Sequence, residues 1–166
     1  VTTRLYGCSK SFAIAGLQRW FSVARSSGLM AKVRGAAPGY CYTVNNGSQE
    51  AGRAALGEAG HWVQGFVGHL QGGRDYVYER LSDMTNVDVR KPEGTYVIFP
   101  RINGMTSVKA TKFILDEAKV AVVPGHGEPF SYFGPGGEGH IRIVYSTSMD
   151  IMEEAMDRIE AALSKL

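Results

Sequence analysis

Cysteine is nearly absent from these 166 residues: Cys8 and Cys41 are the only two. So few thiols, without the spacing of metal ligands, fit neither a disulfide framework nor a zinc site, and they favour a reducing, cytoplasmic setting. Long hydrophobic runs are missing as well. The longest apolar stretches, such as Tyr96-Val97-Ile98-Phe99, are far too short to span a bilayer. Charge of one sign is missing too: 18 Lys and Arg against 16 Asp and Glu leave a formal +2. No basic run carries interleaved aromatics, so nucleic acid is not an expected partner. No charged-then-apolar leader opens the chain, and no signal peptide is expected. An initiating Met is absent, and Val1 to Ser9 runs directly into what reads as a strand, Arg4-Leu5-Tyr6, so a fragment of something longer is expected. What remains is ordinary globular composition, 44% hydrophobic and 20% charged, enough for one or two compact units.

Two textures succeed each other along the chain. Up to about residue 84 it is dotted with glycine. A first strand ends at Cys8, Phe21 to Ala24 forms a second apolar run, and helices are predicted from about Ser48 to Ala59 and from about His61 to Met84. In the second of these, Trp62, Phe66 and Leu70 recur at helical spacing, as do Val77, Leu81 and Met84. Gly65, Gly68, Gly72 and Gly73 weaken that helix by roughly 1 kcal/mol each against Ala. From about Asn86 the pattern is α/β. Val87 to Val89 and Thr95 to Phe99 read as strands flanking the turn Lys91-Pro92-Glu93-Gly94. Ser107 is placed to cap a helix with Val108, Thr111, Ile114, Leu115 and Ala118 on one face. Val120 to Val123 is a short strand closed by Pro124-Gly125. Ile141 to Tyr145 alternates, which sets Arg142 and Val144 opposite Ile141, Ile143 and Tyr145. Ser148 caps a last amphipathic helix with Ile151, Met152, Ala155, Met156, Ile159, Ala162 and Leu163 inward.

Several stretches carry residue types that do chemistry, and most reduce to structure. Gly134 to Gly139 has the spacing of a dinucleotide loop, but a strand follows where the pyrophosphate needs a helix N-terminus, so it reads as a turn. His61 and His69 stand about two helical turns apart, too far for the usual metal pair, and His126 and His140 lie beside Gly-rich loops without paired carboxylates. All four read as surface or core histidines, and Glu153-Glu154 as a solvated helix edge. Ser9-Lys10-Ser11 differs. This lysine directly follows an apolar strand, between hydroxyls, at an edge of the kind where active-site groups often sit. A lone lysine otherwise defaults to a solvated surface charge. Arg142, in mid-strand among apolar neighbours, needs an anion; a bidentate carboxylate ligand and an internal ion pair both satisfy it.

Three stretches together resemble the class I/II aminotransferases, enzymes of fold type I that use pyridoxal 5′-phosphate (PLP). Ser9-Lys10-Ser11-Phe12-Ala13-Ile14-Ala15-Gly16-Leu17 resembles the segment around that family's Schiff-base lysine. Lys91-Pro92-Glu93-Gly94-Thr95-Tyr96 is similar to the Lys-Pro-Glu-Gly-aromatic turn of its small domain. Val122-Val123-Pro124-Gly125, then Phe133-Gly134 and Gly137-Glu138-Gly139-His140-Ile141-Arg142-Ile143, is similar to its Val-Pro-Gly…Phe-Gly…Gly-x-x-Arg-Ile segment. The three occur in the family's order and roughly at its spacing, and they cover the C-terminal portion of a usual member.

The resemblance implies that Lys10 joins the cofactor and shuttles the proton at the substrate α-carbon, and that Arg142 binds the substrate α-carboxylate. It implies that the loop from Thr43 to Ser48 approaches the site of a partner subunit. Where the family has Ser three residues before the lysine and Arg eight after it, this chain has Gly7 and Gln18. Ser9 and Arg19, one step displaced, are then the implied phosphate contacts. A longer loop, His126 to Tyr132, also separates the Pro-Gly and Phe-Gly pairs.

The expected fold class is α/β: the C-terminal remainder of the large PLP-binding domain at 1–75, then the small C-terminal α/β domain at 76–166. The implied function is transfer of an amino group between an amino acid and a 2-oxo acid by a cytoplasmic homodimer, with no metal, nucleic acid or membrane involved. The alternatives are a PLP-dependent C–S lyase, which needs the same lysine and arginine, and a non-catalytic ligand-sensing domain. The family's aspartate on the pyridine nitrogen, its ring-stacking aromatic and its glycine-rich phosphate loop all precede the lysine. This chain alone is therefore expected not to turn over.

Overall fold

The computed structural model describes residues 2–17, 20–37, 44–127 and 133–166. The chain divides into two compact units, Val1–Phe66 and Val67–Leu166.

The first unit opens with β1 (Thr3–Gly7), which pairs antiparallel with β2 (Trp20–Ala24) from Thr3↔Ala24 to Gly7↔Trp20. Between them the chain makes a single helical turn, α1 (Cys8–Ser11), and a 3-10 turn over Ala15–Leu17. A helix follows that sequence periodicity does not mark, α2 (Ser27–Ala36). Its start is set by Ser26, whose hydroxyl accepts from the Leu29 N–H at 3.3 Å. Gly28 and Gly35 interrupt it and it buries no residue, so no apolar face announces it. α3 (Asn46–Gly57) begins two residues before the expected Ser48, because the Asn45 side chain accepts from the Ser48 N–H at 2.8 Å. The expected loop at Thr43 to Ser48 is therefore only part loop: Thr43 lies outside the described residues, while Asn46, Gly47 and Ser48 already form the first turn of α3.

α4 (Gly60–Ser82) carries the chain from the first unit into the second. Within the second unit, His69 Nε2 lies 2.7 Å from the Thr147 carbonyl. Arg80 pairs with Asp157 and Glu160 of the last helix. β3 (Val87–Asp88) pairs with β5 (Arg101–Ile102). The main sheet is antiparallel with order β4 (Val97–Ile98), β7 (Ile141–Val144), β6 (Val123–Pro124). The two strands expected to flank Lys91 to Gly94 thus contract, and each pairs elsewhere. Thr95 adopts φ +64°, outside extended geometry, and the Tyr145 hydroxyl donates to its carbonyl at 3.1 Å, so the extended run starts only at Val97.

One face of the sheet is dry. Ile98, Ile141, Ile143 and Tyr145 point into a core shared with α5 (Ser107–Ala118) and α6 (Met149–Leu163). Ser148 is the N-cap residue of α6, and Met152, Met156, Ile159, Ala162 and Leu163 are buried as expected. Ile151, expected inward, is exposed, since the buried stripe passes it at Met152 and Met156. α5 is capped by Thr106 rather than Ser107, its hydroxyl accepting from the Lys109 N–H. The buried stripe of α5 is Ser107, Ala110, Ile114 and Ala118. Val108 and Leu115, expected inward, are exposed instead. The small residues of that stripe are what let α5 approach its neighbours closely.

Candidate functional site

Lys10 follows β1 within one turn. Gly7 ends the strand in extended geometry (φ −133°, ψ 125°), and the chain tightens at once into α1. The Phe12 N–H donates to the Cys8 carbonyl at 3.1 Å, and Ala13 adopts a left-handed φ of +53° that ends the turn. Cys8 and Ser9 face inward while Lys10 and Ser11 face out. The segment is anchored by rings: Phe12 stacks on Trp62 at 6.4 Å, and Trp62 on Phe66 at 4.7 Å. The amine is thus presented on a fixed turn at a strand end, as its sequence context suggested.

Gly7 has a clear structural reason. A Cβ there would stand 2.7 Å from Cε3 and Cζ3 of Trp20, its cross-strand partner, so no side chain fits unless the indole moves. The serine that the resemblance implies at this position would bring its Cβ against the Trp20 indole. Gln18 and Arg19 lie outside the described residues.

Arg142 occupies β7 on the face opposite Ile141 and Ile143. Val123 pairs with it on one side. On the other side the pairs Val97↔Val144 and Ile98↔Ile143, carried one residue further, set Phe99 opposite it. Neither neighbour offers an acceptor. Arg74, Arg80 and Arg158 each meet a carboxylate in this unit. Arg142 meets none among the described residues, and its Nε is buried without a hydrogen-bond partner. A buried donor left unpaired costs about 1–3 kcal/mol, more when charged, so Arg142 calls for an acceptor from outside the described residues.

The loops around Arg142 are fixed by backbone. The Gly125 N–H donates to the His140 carbonyl at 2.8 Å. A Cβ on Gly125 would stand 2.5 Å from the Gly137 carbonyl oxygen and 2.7 Å from Cζ of Phe99, so the Pro-Gly and Gly-Glu-Gly turns close on each other only through glycine. Glu138 and Gly137 in turn hold the N-terminus of α5. The Ser107 N–H donates to Glu138 Oε1 at 3.0 Å, and the Ser107 hydroxyl to the Gly137 carbonyl at 2.9 Å. The Gly-rich run is thus a structural clasp and no nucleotide loop.

Sequence reasoning missed that clasp and the stacking of His140, a histidine assigned no role, on Phe99 at 4.8 Å. The Lys-Pro-Glu-Gly turn is tied to α4 through Lys91, whose ammonium lies 2.9 Å from Asp75 Oδ1. Arg74, then Lys91, hold the Asp75 carboxyl down from 3.8 to about 2. No group of three His, Cys, Asp or Glu side chains suited to a metal occurs among the described residues, and none of the described helices is long and apolar enough to cross a membrane.

Residues 2–159 match the family described as aminotransferase class I and II. Aspartate aminotransferase of Pyrococcus horikoshii is 36% identical over 164 residues, covering 93% of this chain and 39% of its own length. Aromatic-amino-acid aminotransferase 2 of Thermococcus litoralis is 34% identical, covering 99% of this chain and 41% of its own. The crystal structure of an aromatic aminotransferase from Pyrococcus horikoshii superposes with a TM-score of 0.79 at 35% identity, over 97% of this chain and 42% of that one. The chain spans about two-fifths of the length of the relatives it matches. With Lys10 and Arg142 both falling inside the matched span, the chain belongs to the class I and II aminotransferase family.

Proposed function

We propose that this chain supplies the lysine and the carboxylate-binding arginine of a PLP-dependent aminotransferase, a cytoplasmic homodimer that moves an amino group between an amino acid and a 2-oxo acid. The observation that carries the reading is the Nε of Arg142, buried and, among the described residues, without a hydrogen-bond partner or a carboxylate beside it. A substrate α-carboxylate is the ligand a guanidinium fork matches best.

The residues near Lys10 fit the cofactor. Lys10 stands exposed on a fixed turn at a strand end, and Ser9, buried beside it, is a phosphate contact in this reading. Arg19 is the further phosphate contact in this reading. When bound, the cofactor supplies the electron sink for charge that develops at the substrate α-carbon. The chain's own residues do the rest. Lys10 holds and returns the proton at that carbon. Arg142 fixes the carboxylate, so that the bond to be broken is held in one orientation. A C–S lyase would use the same two residues, but the neighbours of that name are only 23–24% identical and speak to the fold alone.

Borohydride reduction of the PLP-loaded full-length parent, followed by peptide mapping, should place the phosphopyridoxyl label on Lys10. Label on another lysine would end this reading. In the same protein Arg142→Ala should weaken amino-acid binding by about 1.5–3 kcal/mol, the scale of a lost charged hydrogen bond, with the fold kept. A collapsed melting temperature with unchanged affinity would make Arg142 a structural residue instead.

A further inference from the structure

We propose that Phe99 and His140 form an aromatic plate that orients the Arg142 guanidinium, which makes them positioning residues for anion binding. The inference rests on Arg142 being the carboxylate-binding group and adds how its direction is set.

Phe99 stands opposite Arg142 by the register of β4 and β7, and His140 precedes Arg142 by two residues. All three side chains therefore leave the sheet on the face away from the core. Directly opposed residues have their Cβ atoms about 4.5–5.5 Å apart, within reach of an aromatic ring. The two rings are locked together: Phe99 and His140 stack at 4.8 Å with 10° between their planes. Phe133 backs Phe99 at 4.7 Å and 47°.

Each ring is also held from behind. Phe99 is pressed against Gly125, where a Cβ would come within 2.7 Å of its Cζ. His140 Nδ1 lies 3.1 Å from the Glu138 carbonyl. Its backbone N–H donates to Gly137 and its carbonyl accepts from Gly125. With Nε of Arg142 buried and unpaired among the described residues, packing is left to set its direction, and flat rings restrict it more than flexible aliphatic side chains do. Val123 closes the other side of Arg142. The plate does not itself take the ligand; it removes orientations in which the fork misses it.

The test uses the PLP-loaded full-length parent, labelled with nitrogen-15 at arginine, and follows the Arg Nε–Hε signals during titration with pyruvate, a 2-oxo acid with a single carboxylate. Loss of one signal in Arg142→Lys assigns the reporter. In the wild type, that signal should move and saturate while those of Arg158 and Arg80 stay put. In His140→Ala the apparent dissociation constant should rise about threefold to tenfold, the range expected from losing one aromatic pair. His140→Phe should restore it, because the ring returns while the Glu138 contact does not.

If His140→Ala loses its dispersed spectrum, His140→Gln, polar but ringless, is read in its place with the same expected weakening. Unchanged affinity in the ringless variants, or failure of His140→Phe to rescue, overturns the plate and leaves the role of Arg142 standing. A wild-type Arg142 signal indifferent to pyruvate overturns both.

Discussion

The two units place chemistry on different foundations. In the second, sixteen buried hydrophobic residues from Val77 to Leu163 form one continuous cluster, and Arg142 projects from the back of a strand that this core holds. In the first, Cys8 and Ala55 are the buried apolar residues among those described, while Leu5, Trp20 and Val23 of the β1–β2 pair are exposed. A two-stranded hairpin with open faces is marginally stable by itself, because few apolar contacts offset the entropy of ordering it. Lys10 stands at the end of such a strand. The lesson is that a side chain can be well placed locally, by a glycine and a single turn, where few of the described residues around it are buried.

The largest expected effect tests that contrast directly. Ile114→Ala, fully buried in the second unit, should cost about 2–5 kcal/mol in urea unfolding followed by circular dichroism. Leu5→Ala, at 73% exposure in the first, should change stability by no more than about 0.5 kcal/mol. Hydrogen exchange should agree, with the amides of β7 and α6 protected far longer than those of β1 and β2. Equal costs for the two substitutions would mean that the first unit has a core of its own.

A smaller effect contrasts neighbours in α4. A Cβ on Gly72 would meet nothing within 4 Å, whereas one on Gly73 would stand 2.9 Å from Cε of Met152 and 3.2 Å from the Tyr145 carbonyl. Gly72→Ala should therefore stabilise the helix by about 0.5–1 kcal/mol. Gly73→Ala should destabilise the second unit by about 1–3 kcal/mol through overpacking. Gly65 and Gly68, also in open space, should behave like Gly72. The sequence shows four glycines of the same kind, and only the structure separates the one that α6 requires.

That pattern describes legibility in general here. Elements whose signal is local were readable. Ser148 marks the start of a strongly periodic α6, though its side chain makes no capping hydrogen bond, and the alternation in β7 correctly set Arg142 against Ile141 and Ile143. Elements whose signal depends on distant contacts were not. Val108 looks apolar and inward by spacing, yet it is exposed and lies against the loop at Gly127, because small side chains let α5 turn Ser107 and Ala110 to the core instead. In the candidate site, the strand-end position of Lys10 and the strand position of Arg142 were legible through short motifs. The orphaned Nε of Arg142 and the His140–Phe99 stack depend on which strands pair, which no single segment states. The reason for Gly7 lay in Trp20, across a hairpin.

The smallest expected effect sharpens the comparison from the well-packed side, by asking how much of the second unit's order depends on charge. Asp75 sits between Arg74 at 2.7 Å and Lys91 at 2.9 Å, and so links α4 to the Lys-Pro-Glu-Gly turn. Arg74 first and Lys91 second hold its carboxyl at about 2, below the ordinary 3.8. A carboxyl whose pKa is lowered by folding stabilises the folded state fully above its ordinary value, and that contribution is lost as pH falls through the folded value. Asp75→Asn should therefore melt slightly below the wild type at neutral pH, and the gap should close as pH falls from about 4 toward 2. The side chain is 41% exposed, so water and salt screen it, and the gap should also shrink in high salt. The thermal midpoints of both proteins, taken across that pH range at two ionic strengths, measure it. A gap as large at pH 2 as at neutral pH would show that Asp75 acts by packing rather than charge.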